Sequence, residues 1–194
     1  MTTPEPQQPL VPTAGQTIGP FYGFALSYER DHELLPPAAA GAVRLHGTVF
    51  DGNGVPVPDA LLEIRQADPS GRIPRVEGSI RRDGTVFTGW GRCATDPGGR
   101  FSFTTLEPGR TDQGAAPFFA VSVFARGLLN RLFTRAYLPG DEQALAGDRL
   151  LGSVSPERRG TLVAGRDDDG SLRFDIWLQG ERETVFLAFA RHGR

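Results

Sequence analysis

Lysine is absent from this chain of 194 residues, and cysteine and methionine occur once each. All 21 basic residues are therefore arginine, which we read as a trace of genome composition and not of function. The lone Cys93 excludes an intrachain disulfide framework. The three histidines, His32, His46 and His192, have no second His or Cys at ligand spacing, so each reads as a solvated surface residue. No apolar run approaches a membrane span. No glycine-rich phosphate loop leads into a helix and no serine elbow is present, so nucleotide binding and serine hydrolysis have no support. Charge of one sign is lacking too: 23 acidic and 21 basic residues are interspersed, which argues against a nucleic-acid surface or an acidic tail. Residues 1–15 are rich in Pro, Gln and Thr without a basic or an apolar region, so they read as a flexible arm and not a signal peptide, and a cytoplasmic protein is expected.

What the chain does have is glycine, 25 residues, and proline, 16 residues, set between short alternating segments. A length of 194 residues suits one domain, here residues 16–194. Val43, Leu45, Gly47 and Val49 alternate with Arg44, His46 and Thr48, which is the period of a strand. Asp51-Gly52-Asn53-Gly54 is a hairpin turn signal, and Asp96-Pro97-Gly98-Gly99 is a second turn. Leu62 and Ile64 alternate with Glu63 and Arg65. Further strands are expected at 100–104, 118–124, 131–136, 172–178 and 183–189. Such a succession predicts an all-β fold, a β-sandwich of short, mainly antiparallel strands with long loops. One or two short helices are expected, over Asp141 to Leu150 and from Ser155-Pro156-Glu157, where proline follows an N-cap serine. The irregular stretch from Gly71 to Trp90 is long enough to be functional or partner-facing.

Residue by residue, no catalytic constellation assembles. Cys93 has no His/Asn set around it and reads as a buried small hydrophobe. Asp167-Asp168-Asp169-Gly170 lacks the spaced carboxylates of a calcium loop and reads as a solvated turn. Two features exceed a plain sandwich. Gly19-Pro20 forms a stiff, extended corner behind Thr17. Arg135 follows the apolar Leu132-Phe133, either as an edge-strand surface residue or as an anion-binding guanidinium.

Several motifs in order carry a family resemblance. Gln16-Thr17-Ile18-Gly19-Pro20-Phe21, then Leu45-His46-Gly47-Thr48-Val49-Phe50-Asp51-Gly52-Asn53-Gly54 and Leu61-Leu62-Glu63-Ile64-Arg65-Gln66-Ala67-Asp68 resemble intradiol ring-cleavage dioxygenases. So do Gly89-Trp90-Gly91-Arg92-Cys93-Ala94-Thr95-Asp96 and the run from Gly99 to Gly109. Phe124 to Leu129, Phe174 to Glu181 and Glu183 to Phe186 resemble the non-catalytic subunit of the two-subunit members. The resemblance implies a catalytic β subunit as partner and a larger α/β oligomer. It implies cleavage of 3,4-dihydroxybenzoate, a small aromatic substrate, by O2 at Fe(III) bound through two Tyr and two His. Carried onto this chain, the first tyrosine falls at Ile80 or Ser79, the second near Thr111, and the histidines on Phe118 and Ala120. None supplies the ligand, so the resemblance implies that the iron sits on the partner subunit, with no metal and no catalytic residue here. Residues i and i+2 of a strand share a face, so Phe118, Ala120, Ser122 and Phe124 lie opposite Phe119, Val121 and Val123, in what reads as an apolar core or interface strand. The resemblance further implies that Thr17, Gly19, Pro20 and Phe21 help wall the partner's substrate site and that Arg135 lies toward it.

A second reading stays open at this level. Transthyretin-like or peptidase-associated binding modules also carry Gly-x-Val-x-Asp-x-x-Gly followed by Thr-Asp-x-x-Gly-x-Phe. They would not need the Gln16 to Phe21 corner, Ala125-Arg126-Gly127 or Gln179 to Glu181.

Overall fold

Apolar residues at every second position build two sheets whose inner faces meet. In the computed structural model, the residues described are 17, 19, 22–76 and 86–189. The expected arm, 1–15, lies outside them, as do Pro20, Phe21, Ser79, Ile80 and His192. Strand β1, Val43–Phe50, sends Leu45, Gly47 and Val49 inward and leaves His46 and Thr48 partly exposed. It pairs antiparallel with β4, Arg100–Thr105, with Leu45 opposite Phe103. On its other side it pairs in parallel with two short strands, β8 at Leu172–Arg173 and β9 at Ile176–Trp177. β7, Gly165–Arg166, completes that sheet beside β8. The second sheet runs β3-β2-β5-β6, all antiparallel: Trp90–Ala94, Leu61–Arg65, Phe118–Phe124 and Leu132–Tyr137. The fold is thus the expected all-β sandwich.

Leu45, Val49, Phe101, Phe103, Leu172 and Ile176 from one sheet meet Leu62, Ile64, Phe119, Val121 and Val123 from the other, in one buried cluster. Each such side chain contributes roughly 1.5–3 kcal/mol on burial. Gly47 is needed for close packing: a Cβ there would lie 2.1 Å from the Phe174 carbonyl oxygen.

The single strand expected over 172–178 is interrupted. The Asp175 carboxylate accepts from the Thr48 N–H at 2.9 Å, occupying a donor that a ladder bond would use. The turn at 51–54 forms, with the Asp51 carboxylate accepting from the Asn53 and Val55 N–H groups. The chain folds back briefly on β1, with an antiparallel bridge between Phe50 and Pro56, before it crosses to the other sheet. Residues 183–189, expected as a strand, carry no ladder. They lie beside β6 through one backbone bond, Leu187 N–H to the Phe133 carbonyl at 2.7 Å, and one from the Thr134 hydroxyl to the Val185 carbonyl.

One helix, α1 at Tyr22–Leu26, was not expected. The expected short helices are present in pieces as α2 Glu142–Gly147, α3 Arg149–Ser153 and α4 Pro156–Arg159, followed by a 3-10 turn at Gly160–Leu162. Asp141 caps α2 through the Ala144 N–H, and Asp148 caps α3 through the Leu150 and Leu151 N–H groups. No helix among the described residues is long and apolar enough to cross a membrane.

Candidate functional site

β5 has two different faces. Phe119, Val121 and Val123 are buried in the core, whereas Phe118, Ala120, Ser122 and Phe124 are half-buried on the outer face of the second sheet. Of the expected core or interface strand, one face is core and the other is left half-buried in this chain. The outer face floors a cavity of about 280 Å³. The loop after β2 forms one rim through Gln66, Ala67 and Ile73, with Gly109 and Thr111 beside it, and Leu187 and Phe189 close the other side. The Gln66 side chain holds the rims together, donating to the Leu106 carbonyl at 2.8 Å while its oxygen accepts from the Thr105 hydroxyl. The Gly109 N–H donates to the Asp68 carbonyl at 2.9 Å.

Three of the positions that correspond to iron ligands in the resemblance, Thr111, Phe118 and Ala120, line this one cavity. The fourth, Ile80 or Ser79, lies outside the described residues. A hydroxyl, a phenyl ring and a methyl group are not the phenolate and imidazole set that Fe(III) requires. Among the described residues no group of three or more His, Cys, Asp or Glu could hold a metal. Two guanidinium groups, Arg65 and Arg135, line the cavity and would repel a trivalent cation. Among the described residues, the cavity's lining does not fit bound iron.

Arg135 stands directly across from Ala120 in the β5–β6 register. Its guanidinium carbon lies 3.9 Å from the centre of the Phe118 ring, a cation–π contact. One of its nitrogens donates to the Tyr137 hydroxyl at 3.0 Å, and that hydroxyl donates to the Asp148 carboxylate at 3.0 Å. Asp148 is buried and also accepts from the Ala116 N–H at 3.1 Å. Burial pushes the Tyr137 phenol up to about 12, with the Arg135 guanidinium working against that rise. The hydroxyl thus stays protonated and orients the guanidinium.

Arg65 is the residue that the sequence alone did not single out. On β2 it faces Ala120 from the other side, so Arg65, Ala120 and Arg135 form one row across three strands. Its alternation with Leu62 and Ile64 marked it as outward-facing. Only the sheet order brings it beside β5. Neither Arg65 nor Arg135 has a carboxylate partner among the described residues.

Thr17 sits elsewhere. Its hydroxyl donates to the Leu128 carbonyl and accepts from the Gly127 N–H, both at 3.0 Å. That turn follows the far end of β5 from Ala120, a distance of roughly 20 Å along extended chain. Gly19 is exposed, and a Cβ there would meet nothing within 4 Å. Within this chain, then, Thr17 and Gly19 are not beside Arg135; Pro20 and Phe21 lie outside the described residues.

The remaining candidates have ordinary roles. Cys93 packs against the core, and burial pushes its thiol up to about 11, so it is no ready nucleophile. His46 contacts the Asp167 carboxylate at 3.0 Å and Ser171 at 3.2 Å. Asp167 to Gly170 make the turn between β7 and β8.

A family model described as "Dioxygenase" matches residues 19–180. The protocatechuate 3,4-dioxygenase alpha chain of Burkholderia cepacia is 40% identical over 191 residues, covering 90% of this chain and 96% of that one. The beta chain of the same enzyme and organism is 29% identical over 202 residues, covering 92% of this chain and 86% of that one. Among solved structures, the dioxygenase domain of a dioxygenase and carbohydrate-binding protein fusion from Streptomyces sp. SirexAA-E aligns with a TM-score of 0.58 at 25% identity, covering 88% of this chain and 99% of that one. The chain therefore belongs to the dioxygenase family, and its sequence stands nearer to the alpha chain of that Burkholderia pair than to the beta chain.

Proposed function

We infer that this chain is the iron-free α subunit of a protocatechuate 3,4-dioxygenase, acting in the cytoplasm with a catalytic β subunit in a larger α/β oligomer. The reaction of the complex is intradiol cleavage of 3,4-dihydroxybenzoate with O2, giving 3-carboxy-cis,cis-muconate. Fe(III) belongs to the β subunit, and residues 16–194 act as one intradiol-type domain. The observation that carries this reading is the cavity at Thr111, Phe118 and Ala120: a member of a dioxygenase family has no iron donors there and has two arginines instead.

Thr17, Gly19, Pro20 and Phe21 are proposed as a corner offered to the partner's substrate. The two bonds from the Thr17 hydroxyl to the 127–128 turn support this, since they anchor Thr17 while it and Gly19 stay exposed. Arg135 is proposed as a guanidinium for the carboxylate of an aromatic acid. It acts from its own cavity and not from the Thr17 corner. A transthyretin-like binding module is the weaker reading, because the family match runs through 125–127 and to residue 180, segments such a module would not need. Purification decides the matter. The chain alone should be colourless and inactive, and co-expression with an iron-binding β chain should restore ring cleavage. Stoichiometric iron and turnover in the isolated chain would overturn the reading.

A further inference from the structure

We propose that the cavity on the outer face of the second sheet is a metal-free binding site for one aromatic carboxylate, gripped by Arg65 and Arg135 across Ala120. The choice of an aromatic acid rests on the proposed function; the pairing of the two guanidinium groups does not. Arg65 and Arg135 flank Ala120 in register on one face and line the same cavity. Neither has a carboxylate partner among the described residues, so a bound anion would supply the missing opposite charge while accepting charge-assisted hydrogen bonds. Arg135 is already oriented by Phe118 and Tyr137, so little freedom remains to be lost on binding.

The rest of the lining suits an aryl ring. Phe133, Leu187, Phe189 and Ile73 supply apolar surface, and Ser122 and Thr111 supply hydroxyls at the floor and rim. The volume of about 280 Å³ lies near the lower end for small-ligand sites, which run from roughly 300 to 1,000 Å³. A single substituted benzene ring is of the right scale; a nucleotide is not. The positions that hold the metal in the resemblance have in this way become a site that recognises the same kind of acid without chemistry.

The test is a calorimetric titration of benzoate into the intact complex of this chain with its iron-bearing partner. Benzoate lacks vicinal hydroxyls and cannot chelate iron through them. One saturable benzoate per copy of this chain is expected, beyond whatever the partner binds. Arg65→Gln and Arg135→Gln should each weaken that component by at least about tenfold, the loss expected for a hydrogen bond to a charged group. Arg65 is exposed, so its replacement leaves the fold intact, and thermal melts of both variants verify this. Identical benzoate binding by the wild type and both variants overturns the proposal, as does no saturable binding up to about 20 mM. A parallel titration with cis,cis-muconate separates the sources of the carboxylate. Arginine-dependent binding of muconate but not benzoate would also overturn the aromatic assignment. Turnover of protocatechuate by the same preparation is read separately, so an inactive complex counts against the subunit reading without touching the benzoate result.

Discussion

The guanidinium carbon of Arg135 lies 3.9 Å from the ring centre of Phe118, the residue that stands where the family resemblance would place a metal-binding histidine. A phenyl ring thus stands at that position, and the neighbouring Arg135 brings positive charge to the cavity on a side chain held through Tyr137 and Asp148.

Tyr137→Phe should destabilise the chain by about 1–3 kcal/mol, because the buried Asp148 carboxylate keeps its three backbone N–H donors but loses the hydroxyl. At this length each kcal/mol lowers Tm by roughly 2–4 °C. Differential scanning calorimetry of the two proteins measures the fall; an unchanged Tm would mean that the hydroxyl bridge contributes nothing.

Thr17→Val removes the hydroxyl that both donates to Leu128 and accepts from Gly127. In the co-expressed complex the KM for protocatechuate should rise roughly 2- to 10-fold, the worth of one or two ordinary hydrogen bonds. The Tm should move by no more than about 1 °C, since the site is exposed. A large loss of Tm at constant KM would show a structural role and remove the corner from substrate binding.

Alkaline pH should unfold the chain in a defined window. The Cys93 thiol is raised from 9.0 to about 11, and the Tyr22 and Tyr137 phenols from 10.0 to about 12, each chiefly by burial. A raised folded value means that the unfolded chain releases its protons first. The contribution to stability is therefore whole below pH 9.0 and is lost as pH climbs through about 11 and 12. Tm measured against pH should be level up to about 9 and fall steeply above it. Cys93→Ala should remove the earliest part of that fall.

Gly71→Ala should cost at least about 2 kcal/mol, combining a positive φ with a steric clash. Gly71 has φ +86°, and a Cβ would lie 2.0 Å from the Arg110 carbonyl oxygen. That contact joins the two loops that rim the cavity, so benzoate binding should weaken together with stability in urea titrations.

Much of this architecture is legible in the order of residues. Leu45, Val49, Phe101 and Phe103 alternate with polar neighbours, and a period of two requires a face that hides from water. The Asp51 and Asp96 turns announce themselves through residues that accept from their own backbone. The absent donors at Phe118 and Ala120 are likewise plain from residue type. Residues 183–189 and the break at Asp175 were not legible, because a ladder depends on which donors a neighbour leaves free. Nor was Arg65: alternation shows which way a side chain points, not which strand lies beside it.

By itself, then, the sequence determined that the chain folds as a sandwich of short strands, which follows from local periodicity. Its resemblance to intradiol ring-cleavage dioxygenases implied that Phe118 and Ala120 stand where metal ligands would. Tertiary structure alone decided that Arg65 and Arg135 share a cavity across Ala120 and that Thr17 stands at the other end of β5. Cross-strand register joins Arg65 to Ala120 and Ala120 to Arg135, residues far apart in the chain, and no local propensity encodes which of them will meet.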